Sequence, residues 1–278
     1  MKDSSSSLYK TAGFISENVW GTLSATTHAA VSRAYTRLYE TRISRYLIQP
    51  YCSWQYQDRD HHLKFRPGRG KKQYESFQDF FTRDFKTPLK IKTAFAWPCE
   101  GVVCDLEESI SDKCVDVKGD LRPIRSIFGQ SGRKIPKKYS FINVFLHNKN
   151  YHHIHAPVSG TIMEIERIPG KLLLLRPYAY PGRPSLPAFH NERVNITLKD
   201  RQGRPWFLSI VGGPAVATVE LPEKITVGQK VKVGDKLASF LMGSTCCIAS
   251  PIFPNVSLNE EVFVGHSFDF TFTPLNEE

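Results

Sequence analysis

The chain has 278 residues, enough for one large domain or two small ones, and a formal net charge of +10. Apolar residues make up 41% and aromatics 12%, which is globular and sufficient for a sizeable core, while the basic balance asks for an acidic partner, either nucleic acid or an anionic membrane surface. Six cysteines without a C-x-x-C pair argue against a disulfide scaffold and a cysteine-only zinc site, and no apolar run approaches the roughly 20 residues that span a bilayer.

Residues 1–7, with four consecutive serines, read as disordered. From Leu8 to Tyr51 the pattern is helical: Ile15, Val19 and Leu23 recur at four-residue steps, followed by Val31, Tyr35 and Leu38, then Ile43 and Leu47. Pro50 is expected to end this segment. No secretory signal sequence is expected here; the acid-poor, Ser/Thr-rich start leaves an organellar transit peptide open. The helices are amphipathic. They either pack on the protein's own core or rest on a lipid surface. Between Arg33 and Lys72, ten basic residues stand against Glu40, Asp58 and Asp60, a balance that suits an anionic membrane. Residues 52–73 read as a polar loop around Pro67, Gly68 and Gly70. The helical, basic region is therefore bounded as 1–73.

Tyr74 to Asp84 reads as a short helix with Ser76 as N-cap. From about residue 95, runs rich in Val, Ile, Phe and Leu alternate with Gly, Pro and Asn. Strands are expected at 101–104, 141–146, 160–165, 171–175, 194–198, 206–211 and 215–221. The fold class is α+β, mostly β: N-terminal helices, then a β-rich, barrel-sandwich-like domain over 74–278. Val227 to Leu237 resembles the turn-rich hairpin of biotinyl and lipoyl carriers. The Met-Lys-Met of the biotinyl type is absent, so a hairpin is implied and a cofactor carrier is not. Cys246 and Cys247, if on a strand, face opposite sides.

Four segments stand out: Tyr74 to Arg83; Tyr151-His152-His153-Ile154-His155-Ala156-Pro157; Asn191-Glu192-Arg193-Val194; and Met242-Gly243-Ser244-Thr245. In this order they resemble the phosphatidylserine decarboxylases, which cut their own chain at a Gly-Ser bond and convert the serine to a pyruvoyl group. The resemblance runs over roughly 74–278. It implies cleavage between Gly243 and Ser244 into 1–243 and 244–278, with the small C-terminal chain kept in the fold. It further implies that Ser244 is the precursor of the pyruvoyl cofactor. His155 would be the base that activates the Ser244 hydroxyl, Glu100 the carboxylate that orients the base, and His152 the proton donor in decarboxylation. The pyruvoyl carbonyl would form a Schiff base with the amine of phosphatidylserine, CO2 would leave, and phosphatidylethanolamine would be released.

Four positions depart from the pattern: His153 stands where arginine is usual, Ala238 where glycine is usual, and two replace aspartates. Glu100 stands where aspartate is usual, with a reach longer by roughly 1.5 Å, and Asn150 stands where aspartate usually precedes the Tyr-His pair. Glu100 motivates an alternative: a non-cleaving relative that binds phospholipid or a protein partner. On a strand, His153 and His155 share a face and His152 takes the other, so a bulge or turn is needed to aim His152 and His155 at one site. The histidine trio also admits a metal cluster or a polar surface strand, although no metal is assigned. A homodimer is left open, and association is expected to be peripheral to a membrane. Nucleic acid is disfavoured because the basic residues are not interleaved with aromatics on the expected strands.

Overall fold

The computed structural model describes residues 3–111, 113–213, 219–241 and 244–268. Three helices come first: α1 (Asp3–Asn18), α2 (Ala25–Glu40) and α3 (Ile48–Tyr56). Helix α1 begins at Asp3, inside the stretch expected to be disordered. Once one turn is nucleated, each further residue costs only propagation. Ser24 caps α2 by accepting a hydrogen bond from Thr27 N at 3.1 Å. Pro50 does not end the helical region. It lies in the first turn of α3, where a missing N–H costs no intrahelical bond, and the helix runs on to Tyr56 and stops at left-handed Gln57. Much of the apolar pattern faces outward: Ile15, Val19, Leu38, Ile43 and Leu47 are all at least half exposed.

Strands β1 (Phe65–Arg66) and β2 (Asp84–Phe85) pair with each other and flank α4 (Phe77–Phe81). Ser76 is the N-cap of α4, as its sequence predicts. Its hydroxyl accepts from Asp79 N while the Asp79 carboxylate accepts from Ser76 N, a reciprocal capping box. Phe77, Phe80 and Phe81 pack with Ile48, Cys52 and Leu241 in a small core joining α3, α4 and the chain just before Ser244.

The remaining strands are β3 (Gly101–Glu107), β4 (Cys114–Val117), β5 (Asp120–Pro123), β6 (Ser140–Leu146), β7 (His153–His155), β8 (Gly160–Ile168), β9 (Arg193–Asp200), β10 (Pro205–Gly212), β11 (Val219–Glu220), β12 (Lys230–Val231), β13 (Lys236–Phe240), β14 (Ser244–Ser250) and β15 (Glu261–Val262). A short helix, α5 (Leu186–His190), precedes β9. Eight strands form one antiparallel sheet in the order β12-β8-β9-β10-β14-β6-β3-β15, and β11-β13-β7 form a second. Among the described residues no sheet closes into a barrel; the class is α+β, mostly β.

The large sheet is buried on both faces. Cys246 and Ile248 point into a core shared with Ile154, Ala156 and Leu237 of the small sheet. Cys247 and Ala249 point into a second core with Phe128, Phe141 and Tyr180. Adjacent cysteines thus take opposite faces, as a period of two requires.

Two expected elements are absent. Residues 227–237 do not form a hairpin, because their two arms pair elsewhere: Val231 with Gly160 in the large sheet, and Lys236 with His155 in the small one. Left-handed turns at Gly228 and Gly234 carry the chain between the sheets. Residues 171–175 make no strand either, because side chains take up their backbone groups. Leu172 O accepts from Trp20 Nε1, Leu172 N donates to His28 Nδ1, and Leu174 N donates to Ser16 Oγ. Asn191 takes both the N–H and the C=O of Leu173. The segment is thereby a seam between α1, α2 and the body. Of the expected strand at 215–221, residues 215–218 lie outside the described residues, Val219–Glu220 is strand and Leu221 is not.

Candidate active site

Register brings separated segments to one end of the large sheet. Ser244 opens β14 opposite Gly212, the last residue of β10, and Leu146, the last of β6. Phe145 pairs with Val102, so the start of β3 lies at the same end. Glu100 immediately precedes β3, and residues 147–152 leave β6 there.

Ser244 is fully buried, and its Oγ has no hydrogen-bond partner among the described residues. A buried hydroxyl without a partner costs about 1–3 kcal/mol. Strand alternation places the side chain with Cys246 and Ile248, toward the core between the two sheets. Met242 and Gly243, and with them one side of the bond expected to break, lie outside the described residues. Just before them, Leu241 O accepts from Gln78 Nε2 at 2.6 Å, and Phe240 N donates to His152 O at 3.0 Å. These bonds tether the approach to Ser244 to α4 and to the residue that leads into β7.

The three histidines are buried in three different settings. His155 donates from Nδ1 to Gly234 O at 2.7 Å, so its Nε2 carries the lone pair that faces Tyr151 OH at 3.2 Å. Burial pushes the Tyr151 phenol up, which keeps it a donor, and burial pulls His155 down to about 4 against the smaller upward pull of the Gly234 carbonyl. His153 has both nitrogens occupied: Nε2 faces the carbonyls of Thr82 and Arg83, and Nδ1 faces Ser239 Oγ at 2.7 Å. Burial, then the nearby Lys236 ammonium, pulls it to about 3. His152 lies just before β7, and its ring packs against Phe81 of α4, with centroids 4.0 Å apart. Its Nδ1 faces Asn150 O at 2.8 Å, and its Nε2 is buried without a partner among the described residues. Burial, helped by the Arg83 guanidinium, holds it neutral, well below the usual histidine range.

Glu100 lies on the other side of Asn150. Its Oε1 accepts from Asn150 Nδ2 at 2.9 Å. Among the described residues no hydrogen bond joins Glu100 to His155, or either histidine to Ser244. The carboxylate instead reaches His152 through the Asn150 residue. His153 and His155 share a face of β7, both against the Tyr151 ring, whereas His152 precedes the strand; the register irregularity lies in the partner strand, between Lys236 and Ala238.

Several participants lie in segments that the sequence marks, but their partners carry no sequence signal. Arg83 is 1% exposed, and its Nη2 donates to Lys149 O at 2.8 Å, Asn150 O at 3.0 Å and Tyr56 OH at 3.1 Å. The run Phe80-Phe81-Thr82-Arg83 marks the segment, but nothing local says which carbonyls a lone arginine will find. Asn191 Nδ2 donates to Gly212 O at 2.8 Å, directly beside Ser244 in the sheet. Arg193 donates to Ile127 O and Asn191 O. Among the described residues no group of three His, Cys, Asp or Glu is arranged to hold a metal ion.

Residues 77–269 match the sequence model of the family described as phosphatidylserine decarboxylase. Similar curated proteins include the phosphatidylserine decarboxylase proenzyme of Marinobacter nauticus, 26% identical over 222 residues, which covers 70% of this chain and 77% of that one. The protein of the same name from Acidovorax ebreus is 27% identical over 198 residues, covering 64% and 69%. That of Stutzerimonas stutzeri is 33% identical over 153 residues, covering 53% and 51%.

Proposed function

We propose that this chain, which belongs to the phosphatidylserine decarboxylase family, acts on phosphatidylserine through a pyruvoyl group that it makes from its own Ser244. The observation that carries this reading is the Ser244 hydroxyl at the head of β14, directly after Gly243 in the sequence, buried and without a hydrogen-bond partner among the described residues. The Oγ attacks the Gly243 carbonyl carbon, a base accepts the hydroxyl proton, and the C–N bond breaks with protonation of the Ser244 nitrogen. The chain is then joined by an ester. Loss of the Ser244 α-proton expels the Gly243 carboxylate and leaves dehydroalanine. Tautomerisation and hydrolysis release ammonia and leave a pyruvoyl group on residue 244. When present, that group supplies an electron sink for the carbanion created as CO2 departs.

The family resemblance assigns the cleavage base to His155, oriented by Glu100, with His152 serving decarboxylation. His155 is neutral at pH 7, and its Nε2 lone pair is on hand once Tyr151 OH turns toward Asp84 Oδ1, which lies 3.5 Å from it. A second reading, with His152 as the base, is favoured by its buried Nε2, which has no hydrogen-bond partner among the described residues. Cleavage of His152→Ala beside His155→Ala separates the two: the variant that stays uncut has lost the base. After cleavage, residues 244–278 would stay in place, because β14 is a central strand held by β10 and β6.

The substrate would be taken from an anionic surface. Among the described residues no helix is long and apolar enough to cross a membrane. Exposed Ile43, Tyr46, Leu47 and Trp54 instead lie in the segment that carries Arg42, Arg45 and Arg59, the composition of an interfacial contact.

Intact mass spectrometry of the wild type beside Ser244→Ala tests the proposal. Two wild-type fragments, the smaller blocked at its N-terminus and reactive as a ketone, together with CO2 release from phosphatidylserine vesicles, are expected. One uncut mass in both proteins would instead favour a non-cleaving lipid- or protein-binding relative.

A further inference from the structure

We propose that Asn150 is a positioning residue that links the carboxylate of Glu100 to the imidazole of His152, an assignment that rests on the self-cleavage reading above. Asn150 is 6% exposed, and its polar atoms are spoken for. Its Oδ1 accepts from His147 N at 2.8 Å, which closes the turn leaving β6. That bond settles the amide orientation: a backbone N–H can only donate, so Nδ2 is the end that faces Glu100. Nδ2 donates to Glu100 Oε1 at 2.9 Å. The backbone carbonyl of the same residue accepts from His152 Nδ1 and from the Arg83 guanidinium. Holding the proton on Nδ1 leaves the lone pair of His152 on Nε2, the buried atom without a partner among the described residues.

The two ends of the side-chain bond are the two positions where this chain departs from the aspartates of the family pattern. An aspartate at 150 would still accept from His147 N, and its second oxygen would then meet Glu100 Oε1 at hydrogen-bond distance. Two carboxylates at that separation cannot both ionise and must share a proton. Asparagine supplies a donor in place of that proton, so the longer Glu100 is held by a hydrogen bond that needs no shared proton. The charged and titratable groups around this pair are the Arg83 guanidinium on the Asn150 carbonyl, His147 and His152 in the same turn, Lys149 paired with Glu261, and the Cys99 thiol and Tyr56 hydroxyl, which both feel the charge of Glu100. None of them offers the Glu100 carboxylate a second hydrogen bond among the described residues.

The test compares Asn150→Asp with the full-length wild type, following self-cleavage by intact mass at pH 7.5 and pH 5.5. At pH 7.5 Asn150→Asp is expected to cleave at least tenfold more slowly. At pH 5.5, where the carboxyl pair holds its shared proton, it should recover severalfold while the wild type gains nothing. A wild-type rate at pH 7.5 overturns the assignment, and so does an equal loss at both pH values, which would mark a merely structural role. A second readout does not depend on cleavage. In uncut Ser244→Ala labelled with 15N-histidine, His152 should show the Nδ1–H tautomer, and adding Asn150→Ala should give a tautomer mixture. An unchanged tautomer sinks the link. Failure of the wild type to cleave, with the tautomer shift present, would instead sink only the self-cleavage reading.

Discussion

The guanidinium of Arg83 donates to the carbonyl of Asn150 across 3.0 Å, tying the segment after α4 to the turn that enters the histidine run. The same cation lies 4.8 Å from the Phe80 ring and 4.9 Å from the Phe65 ring, so two aromatic faces and a set of carbonyls meet its charge. Arg83→Lys keeps the charge and loses the planar fork. It is expected to slow self-cleavage about tenfold, equivalent to roughly 1.4 kcal/mol. Arg83→Ala should also lower unfolding stability by about 3 kcal/mol through the carbonyls left without donors. Urea titration of both variants in the Ser244→Ala background measures this, and equal stability of Arg83→Ala and its parent would refute it.

Asn191 bonds Leu173 N, Leu173 O and Gly212 O with one side chain. It joins the seam under α1 and α2 to the strand end beside Ser244. Asn191→Ala leaves three buried backbone groups unpaired and should cost about 3 kcal/mol, against about 1 kcal/mol for an ordinary single hydrogen bond. Hydrogen exchange at Leu173 and along β10 should rise more than along β6. Uniform exchange in all three would show that the seam is not coupled to the site.

Acid should weaken the fold in a defined window. His155 sits at about 4 when folded, against about 6.5 when unfolded, so between those values the unfolded chain binds the extra proton. The contribution is complete above pH 6.5, is lost as pH falls toward 4, and amounts to about 3 kcal/mol. His153, at about 3, extends the loss slightly further. Melting of Ser244→Ala from pH 7.5 to 4 should show the midpoint falling mainly below pH 6.5. His155→Gln should flatten that fall, and a parallel curve would assign it to other groups.

Membrane contact should reside in the N-terminal helices. Ile43 is 78% and Trp54 76% exposed, beside Arg42 and Arg45. Ile43→Asp with Trp54→Glu should reduce co-sedimentation with vesicles rich in anionic phospholipid at least tenfold and leave self-cleavage unchanged. Binding by the wild type should fall with added salt, since exposed charges are screened beyond about 8–10 Å. Undiminished binding by the double variant would move the contact elsewhere.

Elements built from local signals were legible. Ser76 reads as a cap because hydroxyl and N–H meet within three residues. The apolar runs at 141–146, 194–198 and 206–211 read as strands because both faces of the sheet are buried. Residues 171–175 have the same apolar character, yet their backbone partners are side chains of Ser16, Trp20, His28 and Asn191, most of them far away in sequence. Pro50 misleads because proline closes a helix and opens one with the same fixed φ.

The sequence by itself determined which groups can react and in what order along the chain: glycine before serine, a histidine cluster, a carboxylate ahead of β3. Those are properties of residue type and spacing. Tertiary structure alone decided that Glu100 meets Asn150, that the lone pair of His155 faces Tyr151 while that of His152 has no partner among the described residues, and that Ser244 is buried opposite Gly212. Hydrogen bonds near 3 Å are set by register and burial between residues 50 to 163 apart in the chain, and no local pattern encodes that closure.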